Sequence, residues 1–163
     1  MDSRKFRDTL GCFPTGVTVV TAVMPKDNLL GVTVNSFNSV SLEPPLILFC
    51  LDRGIRSLAG FEVASHYAVN VLSLDQGDLA RRFASASDDK WNGLKVRYGE
   101  TGCPVFEDAM AVLECAAHAR HDGGDHVIFV GRVVAMRARP EARPLVFHRG
   151  RYAALTRERE TAT

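Results

Sequence analysis

The sequence lacks the features that mark nucleic-acid-binding and membrane proteins. Its formal net charge is only +1, so it presents neither a basic field for nucleic acid nor an acidic tail. No apolar run approaches the length that spans a bilayer, and the opening residues MDSRKFRDTLGCF contain no apolar segment typical of a secretory signal. We therefore expect a cytoplasmic protein that binds neither nucleic acid nor a membrane.

The few cysteines do not form a disulfide framework. No Cys-x-x-Cys pair occurs among the four, which stand at positions 12, 50, 103 and 115. The spacing of Cys115, His118 and His121 would suit zinc if the segment were helical. Residues 110–120 have the pattern of a strand instead, which places His118 on the opposite face from the other two. We expect reduced, mostly buried thiols and no metal site.

The chain also lacks the motifs of several common enzyme classes. There is no Gly-x-Gly-x-x-Gly after a strand and no Gly-x-x-x-x-Gly-Lys loop, so a Rossmann-type or phosphate-loop nucleotide site is not expected. There is no Gly-x-Ser-x-Gly elbow and no His-Glu-x-x-His pair. Hydrolase and kinase functions therefore lose their usual support.

Runs rich in β-branched residues dominate what the sequence does contain. Strands are predicted at Val17–Thr21, Val32–Val34, Leu46–Phe49, Tyr67–Leu72, Ala111–His121 and Val127–Ala138, with a last hairpin at Leu145–His148 and Tyr152–Leu155. A turn is predicted at Pro25–Asn28, and short helices at Asp2–Leu10, within Arg53–Ala64 and at Asp75–Ala84. Because no βαβ rhythm occurs, we predict a mainly β fold, an antiparallel barrel with a few short helices outside it. Periodicity alone does not separate a barrel from a sandwich.

The chain is predicted to form one domain over residues 1–163. Its core is expected to cover about 10–156, and the charged, small residues 157–163 are expected to be a frayed tail. The sequence shows no internal repeat and no linker.

The stretch Gly31–Asp52, GVTVNSFNSVSLEPPLILFCLD, combines two strands with a hydroxyl-rich connection. The connection holds Ser36, Ser39 and Ser41 and closes with Pro44-Pro45, a pattern that predicts strand, polar loop, strand. Hydroxyls and free backbone N–H groups that converge in such a loop can bind an anion such as a phosphate. The alternative is a β-connection whose serine and asparagine side chains bond only their own backbone.

Most of the chain carries a set of separated motifs, which are in order FPTGVTVVT, TVNSFNSVSLEPPLILFCL, GDHVIFVGRV and FHRGRY. Together these motifs, between Phe13 and Tyr152, resemble the flavin reductase-like family, the small NAD(P)H:flavin partners of two-component monooxygenases. The resemblance implies an FMN-binding split-barrel fold and a homodimer with the flavin near the subunit contact. It also implies hydride transfer from NADH or NADPH to FMN or FAD, and diffusion of the reduced flavin to a separate monooxygenase. Because a flavin accepts the hydride on its own ring, the lack of an obvious acid–base pair is no objection.

Carried over position by position, the resemblance implies a flavin site on the central stretch. The segment along the flavin ring is Thr33, Val34, Asn35 and Ser36. The hydroxyls near the ribityl phosphate are Ser39 and Ser41, with Val40 between them, and the next strand end beside the flavin is Cys50, Leu51 and Asp52. Positions near the phosphate or the nucleotide tail are Ser57, Ala84 and Lys90, and Phe83 completes the cofactor-binding set.

The resemblance also implies a nicotinamide site. His126, in the Gly-Asp-His motif, is the residue beside the nicotinamide, and Arg151 with Tyr152 forms the far side of that pocket. These residues have structural interpretations too. Ser57 is a candidate helix cap, Lys90 a solvated charge, and Tyr152 a core or interface aromatic. His126 could bond a neighbouring backbone group in its hairpin.

Other functions stay open at this point. An FMN-holding electron-transfer or sensing protein, a corrinoid reductase on the same barrel, and a non-flavin β-barrel that binds heme or another small ligand would share the pattern of strands. NADPH usually requires an arginine for its extra phosphate, but arginines are plentiful here and do not separate NADPH from NADH. FMN and FAD are likewise not distinguished.

Overall fold

The computed structural model describes residues 1–24, 28–87 and 89–156. The strands are β1 (Thr15–Gly16), β2 (Thr18–Met24), β3 (Asn28–Val34), β4 (Asn38–Leu42), β5 (Pro45–Asp52), β6 (His66–Val71), β7 (Arg97–Tyr98), β8 (Pro104–Val105), β9 (Ala111–Gly123), β10 (His126–Ala138), β11 (Val146–His148) and β12 (Arg151–Ala153). The helices are α1 (Ser3–Leu10), α2 (Leu58–Val63) and α3 (Gly77–Ala84), with a 3₁₀ turn at Leu74–Gln76. Most of the predicted turn at Pro25–Asn28, Asp88 and the whole predicted tail 157–163 lie outside the described residues.

Antiparallel pairing organises the strands into one large sheet and two small ones. The large sheet has seven strands in the order β3-β2-β6-β9-β10-β5-β4, and every neighbouring pair in it is antiparallel. A three-stranded sheet contains β1, β11 and β12, and β7 pairs with β8. The predicted mainly β, antiparallel fold with a few short helices is confirmed.

The hairpin of β9 and β10 has a tighter turn than the sequence predicts. The two strands pair up to Gly123↔His126, so only Gly124 and Asp125 remain between them. Gly124 has φ +77°, in the left-handed region that glycine adopts without a Cβ penalty. On its other side β10 pairs with β5, in a register that sets His126 opposite Asp52.

The predicted polar loop after β3 is wrong for Asn38–Leu42, which form the edge strand β4. Ser39 pairs with Ile47 and Ser41 with Leu46, and the register shifts between the two serines, so Val40 is the bulged residue. Solvent reaches most of β4, because Ser39, Val40 and Leu42 are exposed. An edge strand that buries neither face needs no alternation of apolar residues, so the sequence pattern that marks other strands is missing here.

The apolar side chains form two clusters, and β2 contributes to both. In the first cluster Phe49 stacks on Phe129 with ring centroids 5.2 Å apart, and Tyr67 meets both rings edge-on. The second cluster gathers around Phe83, which is fully buried. Val20 belongs to the first cluster, and Val19, on the opposite face of β2, belongs to the second. Both faces of β2 are therefore buried, which explains why apolar residues occur on both of them.

The helices are short and lie outside the large sheet. Asp2 caps α1, accepting hydrogen bonds from the backbone N–H of Arg4 (2.9 Å) and Lys5 (3.3 Å), and Gly11 ends the helix as predicted. The helix α1 buries none of its residues, whereas α3 buries Ala80 and Phe83. In the described ranges no helix is both long enough and apolar enough to cross a membrane.

Glu114, in β9, is a buried carboxylate that holds the turn before β8. It accepts hydrogen bonds from the Thr101 backbone N–H (2.7 Å), the Thr101 hydroxyl (2.7 Å) and the Glu100 N–H (3.1 Å). A Cβ at position 99 would lie 2.2 Å from the carboxylate, so this turn requires Gly99. Burial by itself raises the pKa of Glu114, but the hydrogen bonds from Thr101 and Glu100 outweigh it and hold the pKa below its usual value.

We predict that Glu114→Gln lowers the free energy of unfolding at pH 7 by about 1–3 kcal/mol, because a neutral amide accepts these bonds less strongly. The folded-state pKa lies below the ordinary value of 4.5, so the ionised carboxylate stabilises the fold above that pH. This stabilisation disappears as the pH falls through the folded-state pKa. Urea titrations at pH 7, 5 and 3.5 should show the gap between wild type and variant shrinking below about pH 4.5. Glu107→Gln, at an exposed carboxylate, is the matched control with almost no gap, and a pH-independent gap for Glu114→Gln would contradict this account.

Candidate functional site

The chain just after β3, the end of β5 and the start of β10 lie close together. The Ser36 hydroxyl donates to the Cys50 carbonyl (3.3 Å) and accepts from the Cys50 N–H (2.9 Å), which ties the chain after β3 to β5. Two residues on, Asp52 pairs with His126. The structure therefore brings together Ser36, Cys50, Asp52 and His126, which the sequence predicts as site residues.

Several other predicted residues of β3 and β5 point into the protein. Val34 and Leu51 are buried in the first apolar cluster. The Thr33 hydroxyl donates to the carbonyl of Ala80 (2.8 Å) and so joins β3 to α3. These three residues can offer a ligand mainly their backbone groups. Asn35, which lies between Val34 and Ser36 in the sequence, is exposed.

A cavity of about 320 Å³ lies between β3, the connection from β5 to α2, and the segment after α3. Among the residues that line it, those with hydroxyl, cationic or aromatic groups are Arg56, Ser57, Ser85, Ser87, Lys90 and Trp91. Ser39 and Ser41 do not line it. The cavity wall provides cationic groups and hydroxyls that can bind an anion, together with one aromatic ring. This is the chemistry that a phosphate attached to an aromatic ligand requires.

Two structural interpretations of cavity residues are not supported by their contacts. Ser57 stands at the N-cap position of α2, but its side chain makes no capping hydrogen bond. The Lys90 ammonium donates to the carbonyl of Phe83 (3.1 Å), so it is held at the cavity wall and is not simply solvated. Ala84, at the end of α3, is exposed, while the ring of Phe83 packs 4.8 Å from Trp91 and belongs to the core.

His126 is the first residue of β10 and is held by its neighbour. Its Nδ1 lies 2.7 Å from the Asp125 carboxylate, and the side chain is 41% exposed. The hydrogen bond from the imidazole lowers the pKa of Asp125. The structural interpretation of His126 was a hydrogen bond from its side chain to a neighbouring backbone group. The imidazole instead bonds the Asp125 side chain.

Arg151 and Tyr152 lie in the small sheet, beside α3. The Tyr152 ring packs 5.8 Å from Phe147 and has the Arg81 guanidinium 5.7 Å from its centre. Tyr152 is partly buried against the second apolar cluster, which supports its role as a packing aromatic. Arg151 is exposed and pairs with His148.

The thiols and carboxylates of the described residues were compared with the requirements of a metal centre. Within residues 1–24, 28–87 and 89–156, no group of three or more His, Cys, Asp or Glu side chains is placed to hold a metal ion. Burial, with smaller contributions from Cys103 and Glu114, raises the pKa of the Cys115 thiol to about 12. Cys115 is therefore a neutral core residue at physiological pH.

Comparison with known proteins identifies the family of the chain. The model of the flavin reductase like domain matches residues 10–156. The chain belongs to the flavin reductase-like family. This confirms the resemblance carried by the separated motifs.

The relatives of this flavin reductase-like protein cover almost its whole length. The reductase subunit HsaB of a flavin-dependent monooxygenase from Mycobacterium tuberculosis is 40% identical, over 99% of this chain and 87% of HsaB. The FMN reductase (NADH) SmoA of Agrobacterium fabrum is 41% identical, over 96% of this chain and 88% of SmoA. Among solved structures, the NADH:FAD oxidoreductase SgcE6 of Streptomyces globisporus C-1027, in complex with NAD and FAD fragments, has a TM-score of 0.91 and 38% identity, over 96% of this chain and 94% of SgcE6.

Sequence reasoning missed part of the site of this flavin reductase-like protein. Trp91, Ser85 and Ser87 line the cavity, but they stand in a polar segment without a motif. The one available signal was that Trp91 is the only tryptophan of the chain. Arg53, which contacts the hairpin tip next to His126, gave no signal, because its partners are far away in the sequence.

Proposed function

We propose that this protein is an NAD(P)H:flavin oxidoreductase, which transfers a hydride from NADH or NADPH to FMN or FAD and supplies the reduced flavin to a separate monooxygenase. The observation that carries this proposal is the continuity of the site. The cavity with Lys90 and Ser57 extends to Gly54, and the Gly54 N–H donates to the Asp52 carboxylate at 2.6 Å. Asp52 in turn pairs with His126, so phosphate-binding chemistry and the histidine lie on either side of one strand end. The names of the relatives HsaB, SmoA and SgcE6 agree with this activity.

The residues of the site divide the work between binding and orientation. Lys90 and Ser57 are suited to bind the phosphate, and the backbone between Val34 and Ser36 is suited to bond the polar edge of the ring. A bound flavin supplies the hydride acceptor itself. His126 is suited to orient the nicotinamide, and such positioning is how the protein would lower the barrier.

We further propose that the large sheet curls into the split barrel of the family. Two observations support this closure. Ser36 links the chain after β3 to Cys50 in β5, although β3 and β5 stand at well-separated places in the sheet order. Val32 from β3 and Phe49 from β5 also share one buried cluster, which a flat sheet would keep apart.

A homodimer in the cytoplasm completes the proposal. The four cysteines are free, as expected in a reducing compartment. The exposed apolar side chains include a group on β4 and β10, namely Val40, Leu42, Val134 and Met136, with exposures of 49%, 92%, 50% and 79%. The edge strand β4 has one open side, and a second copy would cover these residues.

The dimer is tested by sedimentation. We expect wild type at micromolar concentration to have about twice the 17.9 kDa mass of one chain. Leu42→Lys, which puts a charge into the proposed contact, should shift the protein toward monomer, and Val63→Lys, on α2, is the matched control. A wild type that sediments as a monomer would contradict the homodimer.

The activity is tested by offering NADH and NADPH in turn with FMN, FAD and riboflavin. We expect catalytic oxidation of the nicotinamide nucleotide that depends on added flavin. Loss of yellow colour on dialysis would show that the flavin is a released substrate. A protein that keeps its flavin on dialysis and does not reduce added flavin would instead be an FMN-holding electron-transfer protein. No oxidation with any flavin would overturn the proposed function.

The position of the phosphate is tested with paired variants. We expect Ser57→Ala with Lys90→Ala to weaken FMN at least about tenfold more than riboflavin, which has no phosphate, because hydrogen bonds to a charged group contribute about 1.5–3 kcal/mol each. Ser39→Ala with Ser41→Ala is the matched pair outside the cavity, and it should weaken both flavins about equally. An FMN-selective loss only in the second pair would move the phosphate to β4, the place that the sequence predicts.

The hydride step is tested at His126. Truncation to Ala should raise the KM for the nicotinamide nucleotide or slow flavin reduction by about ten- to a hundredfold, the scale of one lost positioning contact. Flavin affinity should stay nearly constant, because the imidazole bonds Asp125 and not the cavity wall. Stopped-flow reduction and a flavin titration of the same variant measure the two quantities. Unchanged reduction with collapsed flavin binding would assign His126 to the flavin site.

A further inference from the structure

Arg53 fastens the hairpin tip that carries His126. Its Nε donates to the Gly124 carbonyl at 2.8 Å, and its Nη2 contacts the Asp122 carboxylate at 2.6 Å. Its backbone N–H donates to the Asp125 carbonyl at 2.9 Å. One residue of the chain after β5 thus contacts three residues at the tip of the β9–β10 hairpin, Asp122, Gly124 and Asp125.

The hydrogen bond to Asp125 at the hairpin tip determines which ring nitrogen of His126 is available to a ligand. Asp125 bonds Nδ1, and a carboxylate can only accept, so Nδ1 must carry the proton. In the neutral ring Nε2 is then an unprotonated hydrogen-bond acceptor. An acceptor at this position suits the N–H donors of a nicotinamide carboxamide.

We propose that Arg53 is a positioning residue for the hydride transfer: it holds the turn so that Asp125 fixes the Nδ1–H tautomer of His126 and Nε2 accepts from the nicotinamide carboxamide. This inference rests on the proposed flavin reductase function. Arg53 itself touches neither cofactor. Its fork of parallel donors is what spans two acceptors, and a lysine has a single ammonium that cannot reproduce the fork.

The exposure of the clamp separates positioning from stability. The side chains of Arg53 and Asp122 are 46% and 80% exposed, and exposed ion pairs contribute little to global stability. Removal of Arg53 should therefore change the melting temperature by no more than about 2 °C, while it changes the orientation of His126.

The experiment compares Arg53→Ala and Arg53→Lys with wild type and with Arg97→Ala. Arg97 is a matched control, since it forms another exposed ion pair, with Glu107 at 3.0 Å, away from the site. Three quantities are measured on each protein: stopped-flow flavin reduction by NADH, flavin affinity, and the long-range ¹H–¹⁵N spectrum of ¹⁵N-histidine protein at pH 8. The His126 signals are assigned by their loss in His126→Ala.

We expect both Arg53 variants to raise the KM for NADH or slow reduction by about five- to thirtyfold, with flavin affinity within about twofold of wild type. The spectrum of wild type and Arg97→Ala should show the Nδ1–H form of His126, and the Arg53 variants a mixture with the Nε2–H form. Wild-type kinetics and an unchanged tautomer in Arg53→Ala would overturn the proposal, and so would a parallel loss of flavin affinity and thermal stability. Full rescue by Arg53→Lys would also overturn it, because charge alone would then suffice. If wild type reduces no flavin, the proposed function fails, and the tautomer spectrum still decides whether Arg53 orients His126.

Discussion

The antiparallel pairing of β5 with β10 is the constraint on which the site depends. Its register runs from Leu46↔Arg132 to Asp52↔His126 and sets Phe49 opposite Phe129. The two rings stack with planes only 2° apart in the centre of the first cluster. A slip of β10 by one residue would turn the Phe129 ring to the other face, away from Phe49, and would separate Asp52 from His126. Burial of the aromatic pair and placement of the histidine are thus one choice of register.

Around this pairing, the chain solves the problem of a sheet that is buried on both faces. The polar groups inside it are satisfied locally: the buried Asn70 donates to the Val19 carbonyl (3.1 Å) and accepts from the Phe106 N–H (2.9 Å). Thr21 donates to the Pro104 carbonyl at 2.5 Å. Such pairing removes most of the penalty for burying polar groups. It also attaches β8 and the following loop to the outer face of the sheet, where they cover the second cluster.

Much of the fold could be predicted from the sequence, because the buried face of a helix or strand makes apolar residues recur at a regular spacing. The long strands β9 and β10, their glycine turn and the capped helix α1 all follow from local patterns of few residues. The edge strand β4 was missed, since it buries neither face and its serines satisfy the pattern of a loop equally well. Pairing energy from β5, a partner that a local pattern does not contain, decided its conformation.

The candidate site divides along the same line. Residues within a contiguous motif, such as Ser36 and His126, could be assigned from the resemblance to a family. The resemblance also gave Ser57 and Lys90 of the cavity wall, but not Ser85, Ser87 and Trp91, which join the cavity only when three separate segments of the chain fold together. Arg53 has the same origin: its acceptors lie about seventy positions away in the chain, a distance that no periodicity records.

The solitary tryptophan gives the protein an optical property of its own. One face of the Trp91 indole stacks on Phe106 at 6.0 Å between ring centres, and the residue also borders the cavity. All indole emission of the chain therefore originates from one fixed place at the cavity wall. A yellow chromophore bound there would accept the excitation energy of the indole by resonance energy transfer. The molecule thus carries a donor that needs no label, and no second indole adds to its signal.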